Sequence, residues 1–564
     1  MSIPTFDIEA INWTNPIAIG FYDGANYIDF IRVNFEDDVV WRFLEYLRKY
    51  YKGIKIYGHY SSKYDNKILL TSLCKHEEEI SLEAGLNKLK WRAPDISFED
   101  SYLLAPMSLK KLNKMFSGEE KKEWNHSENL TPWEMGDQLY TFKQYLKTDC
   151  LSLSASLTNL CECLGLTFGI MPSISLATTS VKAYDKIFYN LSQVEENESY
   201  EEFIRAATYG GRNEVYKRYG ENLKHYDVKS MYVSCYNTPV PVGKLKWTKA
   251  GAEIGGLAEA KVKIPKDLYI GPLPVRIGDR LCFPVGEINK PTWWDTRELL
   301  FAAENFGVDI TIRRQLAARE EPVLAEFGKF VGNLRGTKQD EYWKMFGLAV
   351  SGKFGQSRWR DVIKHYRDIE DYTNWCPINK DEIYFSNKEY IKRSPYIRTA
   401  IAMRIRAEAR IRHLSIIKEA YSKGDIFYGD TDSIFTTSEM PSGDKVGELT
   451  YIGTAERGYF IKQKLYALIE EGVMRQKSAG YSDLNLQEED FKDLLKGKEI
   501  QIESHTLSSF RNILQEKEVQ FIEGWRKVKG SNSDNRVALE NDTRPLILPQ
   551  EEGRMLRGLD TSSS

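Results

Sequence analysis

Two carboxylates at the centre of an apolar strand pair constrain this chain more than any other feature. The run Asp425-Ile426-Phe427-Tyr428-Gly429-Asp430-Thr431-Asp432-Ser433-Ile434-Phe435 reads as strand, turn, strand, because apolar residues flank the acidic centre on both sides. Residues two apart on a strand point to similar sides, so Asp430 and Asp432 are expected to project together. Such a tip suits Mg²⁺, a hard cation that takes oxygen ligands and fills its shell with substrate phosphates. The plain alternative is a solvated Asp-rich turn. A second strand-like run, His225-Tyr226-Asp227-Val228-Lys229-Ser230-Met231-Tyr232, places Asp227 in an apolar setting. Close to the hairpin, it would complete a site in which two ions ~3.5–4 Å apart stabilise the attacking and leaving oxygens of an in-line displacement.

At 564 residues the chain has room for several folding units. With 42% hydrophobic and 28% charged residues it has the composition of a globular protein, which excludes disorder. No stretch approaches the ~18 consecutive apolar residues of a membrane span. The start, MSIPTFDIEA, has no basic region followed by an apolar run, so no secretory signal is expected. Scattered cysteines fit a reducing compartment; Cys161 and Cys163, in an apolar helical stretch, read as core and not as zinc ligands. The expected location is intracellular, the host cytoplasm if the source is viral. A net charge of −3 neither requires nor forbids nucleic acid, because residues 390–424 alone carry nine Lys or Arg against two acids. Arg404, Arg406, Arg410 and Arg412 there form either a solvated helical face or one that meets DNA.

The N-terminal part has its own acids. FDIEAI, IAIGFYDG and YIDFIRV read as strands, Val39–Tyr50 as a helix, IKIYGHY as a strand, and residues 132–164 as helix. Asp7 and Glu9 share one strand face; Asp65 follows GHYSSKY; Tyr145 and Asp149 stand four apart on a helix and face one way. Four such acids could hold two ions for phosphodiester hydrolysis, with the Tyr145 hydroxyl orienting the attacking water. Taken singly, each is an ordinary surface acid. Residues 192–202 are polar and acidic and read as an interdomain connection, and the terminal TSSS as a frayed end.

In this order the segments resemble the family B DNA polymerases, most closely the protein-primed branch of phages and linear plasmids. DVKSMY resembles the first polymerase motif and YGDTDS the third; Asp7/Glu9, GHYSSKYD and Tyr145…Asp149 resemble the three exonuclease motifs. Ser108-Leu109-Lys110-Lys111-Leu112 is similar to a single-strand-binding motif, Tyr209-Gly210-Gly211-Arg212 to the glycine-rich link between the two activities, and Lys464-Leu465-Tyr466 to a Lys-x-Tyr signature; NDTRPLIL is a weaker echo. The resemblance implies two Mg²⁺ ions per site, with Mn²⁺ as a substitute. Asp227, the Val228 carbonyl and Asp432 would hold one pair with Asp430 nearby, and Asp7, Glu9, Asp65 and Asp149 the other. It places Lys344 at the phosphates, the amides around Ser230 and Met231 at phosphate oxygens, and Tyr232 under the sugar, where it excludes a 2′-hydroxyl. Tyr60, Ser108 and Leu109 would hold a single-stranded end. Tyr209, Gly210, Gly211, Arg212, Lys464 and Tyr466 would meet DNA, and Arg335 and Lys338 phosphates. The middle motif, Lys344 to Gly355, departs from the family: Leu348 and Ser351 stand where asparagine and tyrosine are usual, so looser packing around the incoming nucleotide is expected. Tyr60 likewise replaces an asparagine.

The implied architecture is a mixed α+β and α/β multidomain chain, an RNase H-like 3′–5′ exonuclease domain followed by a right-hand polymerase. Residues 1–190 would form the exonuclease and 191–215 the linker. Residues 216–245 and 396–470 would form the palm, 331–357 the fingers and 471–564 the thumb and C-terminal region. Insertions would fall at 246–330, docking a priming protein, and at 358–395, serving strand displacement and processivity. The expected function is a proofreading DNA-directed DNA polymerase that copies a viral or mobile-element genome, protein-primed, processive and strand-displacing. Its partners would be template–primer DNA, dNTPs, a separate terminal protein and a single-stranded-DNA-binding protein, with no membrane. The alternative is a DNA-binding exonuclease with a weakened polymerase half.

Overall fold

Alternation of apolar and polar residues organises the N-terminal half around one sheet. The computed structural model describes residues 2–83, 88–118, 124, 130–249, 251, 255–480, 484–530, 535–539 and 541–548; the serine-rich end lies outside them. Thr5–Ile11, Asn15–Tyr22 and Tyr27–Ile31 form an antiparallel meander; Lys55–Gly58 runs parallel to the first strand and Ile96–Asp100 parallel to Lys55–Gly58. Phe6, Ile8, Ile19 and Phe21 bury one face against Phe43, Leu44 and Leu47 of the helix Val39–Tyr50, which Asp38 caps by accepting from Trp41 N–H. The long helix Gln138–Phe168 covers the other face, where the Thr5 hydroxyl donates to the Cys150 carbonyl (2.8 Å).

Residues 358–395 do not stand apart. Trp359–His365 joins the N-terminal sheet through the Ile363–Leu82 pair, and Tyr384–Tyr390 and Cys376–Pro377 extend it to ten strands. The same core also takes Phe510, Ile513 and Leu514 from the helix Phe510–Glu516. This helix tips a two-stranded ribbon, Glu499–Leu507 with Phe521–Lys529, whose base packs through Val528 on Phe491 and Leu494. The ribbon therefore bridges the cluster around Phe491 and Leu494 and the N-terminal core, and Trp13 stacks on Phe521 where it lands.

A seven-stranded antiparallel sheet carries the hairpin. Its order is Val473–Ser478, Leu465–Glu470, Leu449–Lys462, Tyr219–Val228, Ser433–Thr436, Ile426–Asp430 and Asn213–Val215. Leu414, Ile417 and Ala420 of the helix Thr399–Lys423 pack on Tyr226, Ile426 and Ile434 of this sheet. The helix Asp340–Phe354 buries Phe346, Val350 and Phe354 against Val181 and Tyr184 of Leu176–Ile187, and its Gly347 lets Val331 and Val233 approach. Between these parts Leu257–Ile264, Val285–Asp295 and Asp309–Ala317 lead a five-stranded sheet, to which the late strand Ile547–Leu548 is added in parallel.

One charge reading is corrected. Arg404 and Arg410 neither face solvent nor face DNA: Arg404 is fully buried against Asp295 (2.6 Å) and Glu320 (2.8 Å), and Arg410 against Glu298 (2.7 Å). Arg412 pairs with Glu408 and donates to the Ser234 hydroxyl. A buried guanidinium is tolerated only with such partners. The acidic stretch 192–202 is likewise packed, because Glu196 reaches the buried Arg358 (3.0 Å), Glu201 bonds Arg205 (2.7 Å), and Asn197 accepts from Leu245 N–H. All seven cysteines are free thiols, and Cys161 and Cys163 are half-buried. Among the described residues no helix is long and apolar enough to cross a membrane.

Candidate active site

The hairpin closes in a two-residue turn. Asp430 pairs with Ser433, leaving Thr431 and Asp432 at the tip, so Asp432 lies off the strand and the spacing of two does not govern where it points. Thr431 takes φ 58°, costly for a β-branched residue. It is held there by its N–H, which donates to the Arg212 carbonyl (2.7 Å), and by Gly211, where a Cβ would strike the Thr431 side chain. Ser433 lies across from Asp227 in the neighbouring strand, and Val228 N–H donates to the Asp432 carbonyl (2.7 Å). The residues behind the tip follow the same logic. Gly429 leaves room for the ring of the buried His413, whose Nε2 lies 3.1 Å from the Ser433 carbonyl. Glycine inside an apolar strand signals such close approach, yet His413 itself gave no cue.

Three segments meet at this tip. Burial, then the charges of Asp227 and Asp430, push the Asp432 carboxyl up to about 6, against the opposing pull of Lys344. Burial also raises Asp227, opposed by Lys344 and by Lys477 of the edge strand Val473–Ser478. Lys344 is exposed on the helix Asp340–Phe354, so its charge reaches both acids from above. Lys477 was not anticipated, because nothing in its local pattern marks it. Tyr232 is half-buried beside the tip; burial raises its hydroxyl, Arg406 and Arg410 oppose this, and Asp432 adds to it. Ser230 stands at φ 58°, its hydroxyl accepting from Arg335 (2.6 Å), which is itself clamped by Asp340 (2.6 and 2.8 Å) and so is not free for phosphate. The Met231 side chain is buried in the core, and Lys338 is exposed. The Tyr428 hydroxyl approaches Asp430 (3.4 Å) and accepts from the N–H of Lys464 (2.9 Å), whose side chain is exposed; the Tyr466 ring lies 5.2 Å from that of Tyr428.

Several of the other expected contacts are buried. Tyr209 is buried, its hydroxyl donating to the Trp293 carbonyl (3.0 Å). Arg212 is buried on Glu214 (2.5 Å) and over the Phe283 ring (3.6 Å). Of that motif, only Gly210 is exposed; Gly211 buttresses the hairpin. Leu109 belongs to the core, and the Ser108 hydroxyl caps the helix Leu109–Phe116 by accepting from Lys111 N–H (3.4 Å). Ser351 is buried, its hydroxyl donating to the Leu348 carbonyl (3.0 Å), with the Tyr236 hydroxyl beside it donating to the Gly347 carbonyl (2.7 Å); Leu348 packs on the same core. The side chain at 351 thus lies against Tyr236 in the core.

The N-terminal acids gather around the first strand. Asp65 opens the helix Asp65–Lys75 and accepts from Ile8 N–H (3.0 Å), the residue between Asp7 and Glu9. Tyr145 bonds the Glu9 carboxylate, and Asp149 lies one helical turn on, buried. Burial, then the charges of Asp7, Asp149 and Asp65, hold Glu9 well above the usual carboxylate range, and burial with Asp7 does the same to Asp65. Tyr60, at φ 61° and 47% exposed, meets Tyr102 edge-on at 4.8 Å, an accessible aromatic platform at the mouth. Mutually repelling buried carboxylates are the donor set a hard cation relieves. Among the described residues no three His, Cys, Asp or Glu side chains are gathered tightly enough to form a closed metal site alone. An ion at either place would fill its shell with water and substrate oxygens, as Mg²⁺ commonly does.

Residues 118–317 match the family described as DNA polymerase type B, organellar and viral. The chain is 26% identical over 441 residues to a probable DNA polymerase of Podospora anserina, covering 66% of this chain and 36% of that protein. It is 23% identical over 549 residues to one of Neurospora intermedia, covering 80% and 55%. It spans between about a third and just over half of the length of these curated relatives. Among solved structures, phi29 DNA polymerase complexed with primer-template DNA and incoming nucleotide superimposes with a TM-score of 0.72 at 16% identity, over 94% of this chain and 100% of that one. The same polymerase complexed with single-stranded DNA gives 0.69 at 15% identity, over 94% and 100%. The chain therefore has that multidomain, mixed α/β fold.

Proposed function

We propose that this chain, a relative of the organellar and viral type B DNA polymerases, is a DNA-directed DNA polymerase with a 3′–5′ proofreading exonuclease. One observation carries the reading: Asp432 at the hairpin tip faces Asp227 while Lys344, from a separate helix, presents its charge to both. Asp227, the Val228 carbonyl and Asp432 in one site, and Asp7, Glu9, Asp65 and Asp149 in the other, would each hold two Mg²⁺ ions, Mn²⁺ substituting, which activate the attacking oxygen and neutralise the phosphate. Lys344 stabilises charge developing on the transferred phosphate. The amides around Ser230 and Met231 orient the triphosphate, and Tyr232 excludes a 2′-hydroxyl. Lys464 and Tyr466 hold the primer end, with Lys477 behind them. In the exonuclease pocket the Tyr145 hydroxyl orients water, and Tyr60 stacks on a frayed base in a sequence-tolerant way. Template–primer DNA and dNTPs are the ligands, as in the phi29 complexes.

Priming by a separate terminal protein, help from a single-stranded-DNA-binding protein and processive strand displacement belong to the same proposal. The ribbon arch that lands on the N-terminal sheet supports a chain that does not release its product readily. The deciding experiment is primer extension on a nicked duplex with dNTPs, Mg²⁺ and an enzyme trap: long displaced products support the reading, and a halt at the duplex overturns processive displacement. Ser351, turned into the core, favours one second reading, an exonuclease with a weak synthetic half. Degradation without any extension would select it.

A further inference from the structure

The helix Thr399–Lys423 carries four arginines, and three of them are accounted for: Arg404 and Arg410 by buried acids, Arg412 by Glu408 and Ser234. Arg406 is different. It is half-buried, and among the described residues no hydrogen bond or ion pair reaches it. Its guanidinium lies against Gly355, at the end of the helix that bears Lys344; a Cβ at that glycine would stand 3.0 Å from Nη2. On its other side it acts on the hydroxyl of Tyr232, which also feels Asp432. Burial with no compensating acid lowers its proton affinity, as expected of a cation still awaiting its counter-charge.

A plainer role would be to satisfy the negative end of the Asp340–Phe354 helix. Arg205 already does this, donating to the Gly355 carbonyl (3.2 Å) and the Gln356 carbonyl (2.6 Å) while pairing with Glu201. Two guanidinium groups thus converge on one glycine, and only one has partners. A planar fork of N–H donors beside a sugar-contacting tyrosine fits the oxygens of a phosphate.

We propose that Arg406 is a phosphate-binding residue of the synthetic site, taking a phosphate of the DNA strand or of the incoming nucleotide beside Tyr232. This rests on the polymerase reading above. The two sources separate experimentally in Arg406→Gln and Arg406→Lys, compared with the unaltered chain for duplex primer–template affinity against salt, for kcat and KM with dNTPs, and for melting. A strand contact raises the DNA Kd about tenfold for every sequence and lowers the log–log salt slope by about one, leaving the dNTP KM unchanged. A nucleotide contact raises the dNTP KM about tenfold and leaves the DNA slope alone. In either case the lysine variant, which keeps the charge and loses the fork, falls between; it also serves if the glutamine variant does not fold. Normal Kd, slope and KM with only a lowered melting point would overturn the assignment and leave Arg406 a packing residue. If the unaltered chain neither binds nor extends a primer, the polymerase reading itself fails.

Discussion

In the N-terminal pocket the charges acting on Glu9 are those of Asp7, Asp149 and Asp65, all of one sign, whereas at the hairpin tip Lys344 and Lys477 stand against Asp227. The first pocket is deep, with Asp65 and Asp149 buried; the second is open, with its main cation exposed on another helix. On Glu9 the neighbouring acids add to the effect of burial, whereas on Asp227 two lysines oppose it. On the proposed reading, hydrolysis of a frayed end would need no partner beyond water, whereas adding a nucleotide would bring a triphosphate that Lys344, on the helix above, would answer.

The sharpest way to break this comparison is to disable each pocket alone. Asp432→Asn should reduce primer extension about a thousandfold or more and leave trimming of single-stranded oligonucleotides intact, and Asp65→Asn should do the reverse. Loss of both activities in either variant would mean that the pockets are not independent. Lys344→Gln should reduce extension about a hundredfold with no change in trimming, since its charge acts on the acids of the hairpin site. Rate measurements at saturating dNTP test this.

The next effect is on pH. With its carboxyl near 6, Asp432 is partly protonated at mildly acid pH, so extension at limiting Mg²⁺ should fall as pH drops through 6 and recover with excess metal. The stability sign is the opposite. The unfolded value lies near 3.9, so between about 4 and 6 the folded state binds more protons, and the metal-free protein should gain stability as pH falls through that window. Melting curves of Asp432→Asn should lack this component. The smallest effect lies outside both pockets: Tyr236→Phe removes the hydroxyl bonded to the Gly347 carbonyl (2.7 Å) and should cost about 1 kcal/mol in denaturant unfolding, with trimming unchanged.

What could be read from the chain alone followed local pattern. The meander, the helix Val39–Tyr50 and the hairpin Ile426–Thr436 were visible because apolar residues repeat at the period of the element. Asp227 was visible because a polar residue interrupts such a run, and Lys344 through the resemblance of its segment to a known motif. The buried partners of Arg404, Arg410 and Arg358 were not, since the pairs join positions 84 to 162 residues apart and no local period records them. The glycine-rich link misled for a related reason. Tyr209 and Arg212 are residue types that commonly meet DNA, yet here their polar ends are consumed inside the molecule, and the glycine between them serves the turn at Thr431. Nor could the contact of Ser351 with Tyr236 be read, since Tyr236 comes from a separate element 115 residues earlier.

The helix Phe510–Glu516 and the strands of 358–395 complete the N-terminal sheet and its core from the far end of the chain. The apolar interior around Phe6, Ile8 and Phe21 is therefore closed only once residues some five hundred positions further along, Phe510 to Leu514, have joined it. A chain cut short before residue 510 should therefore stay protease-sensitive around residues 5–100, and one that includes Phe510–Glu516 should not.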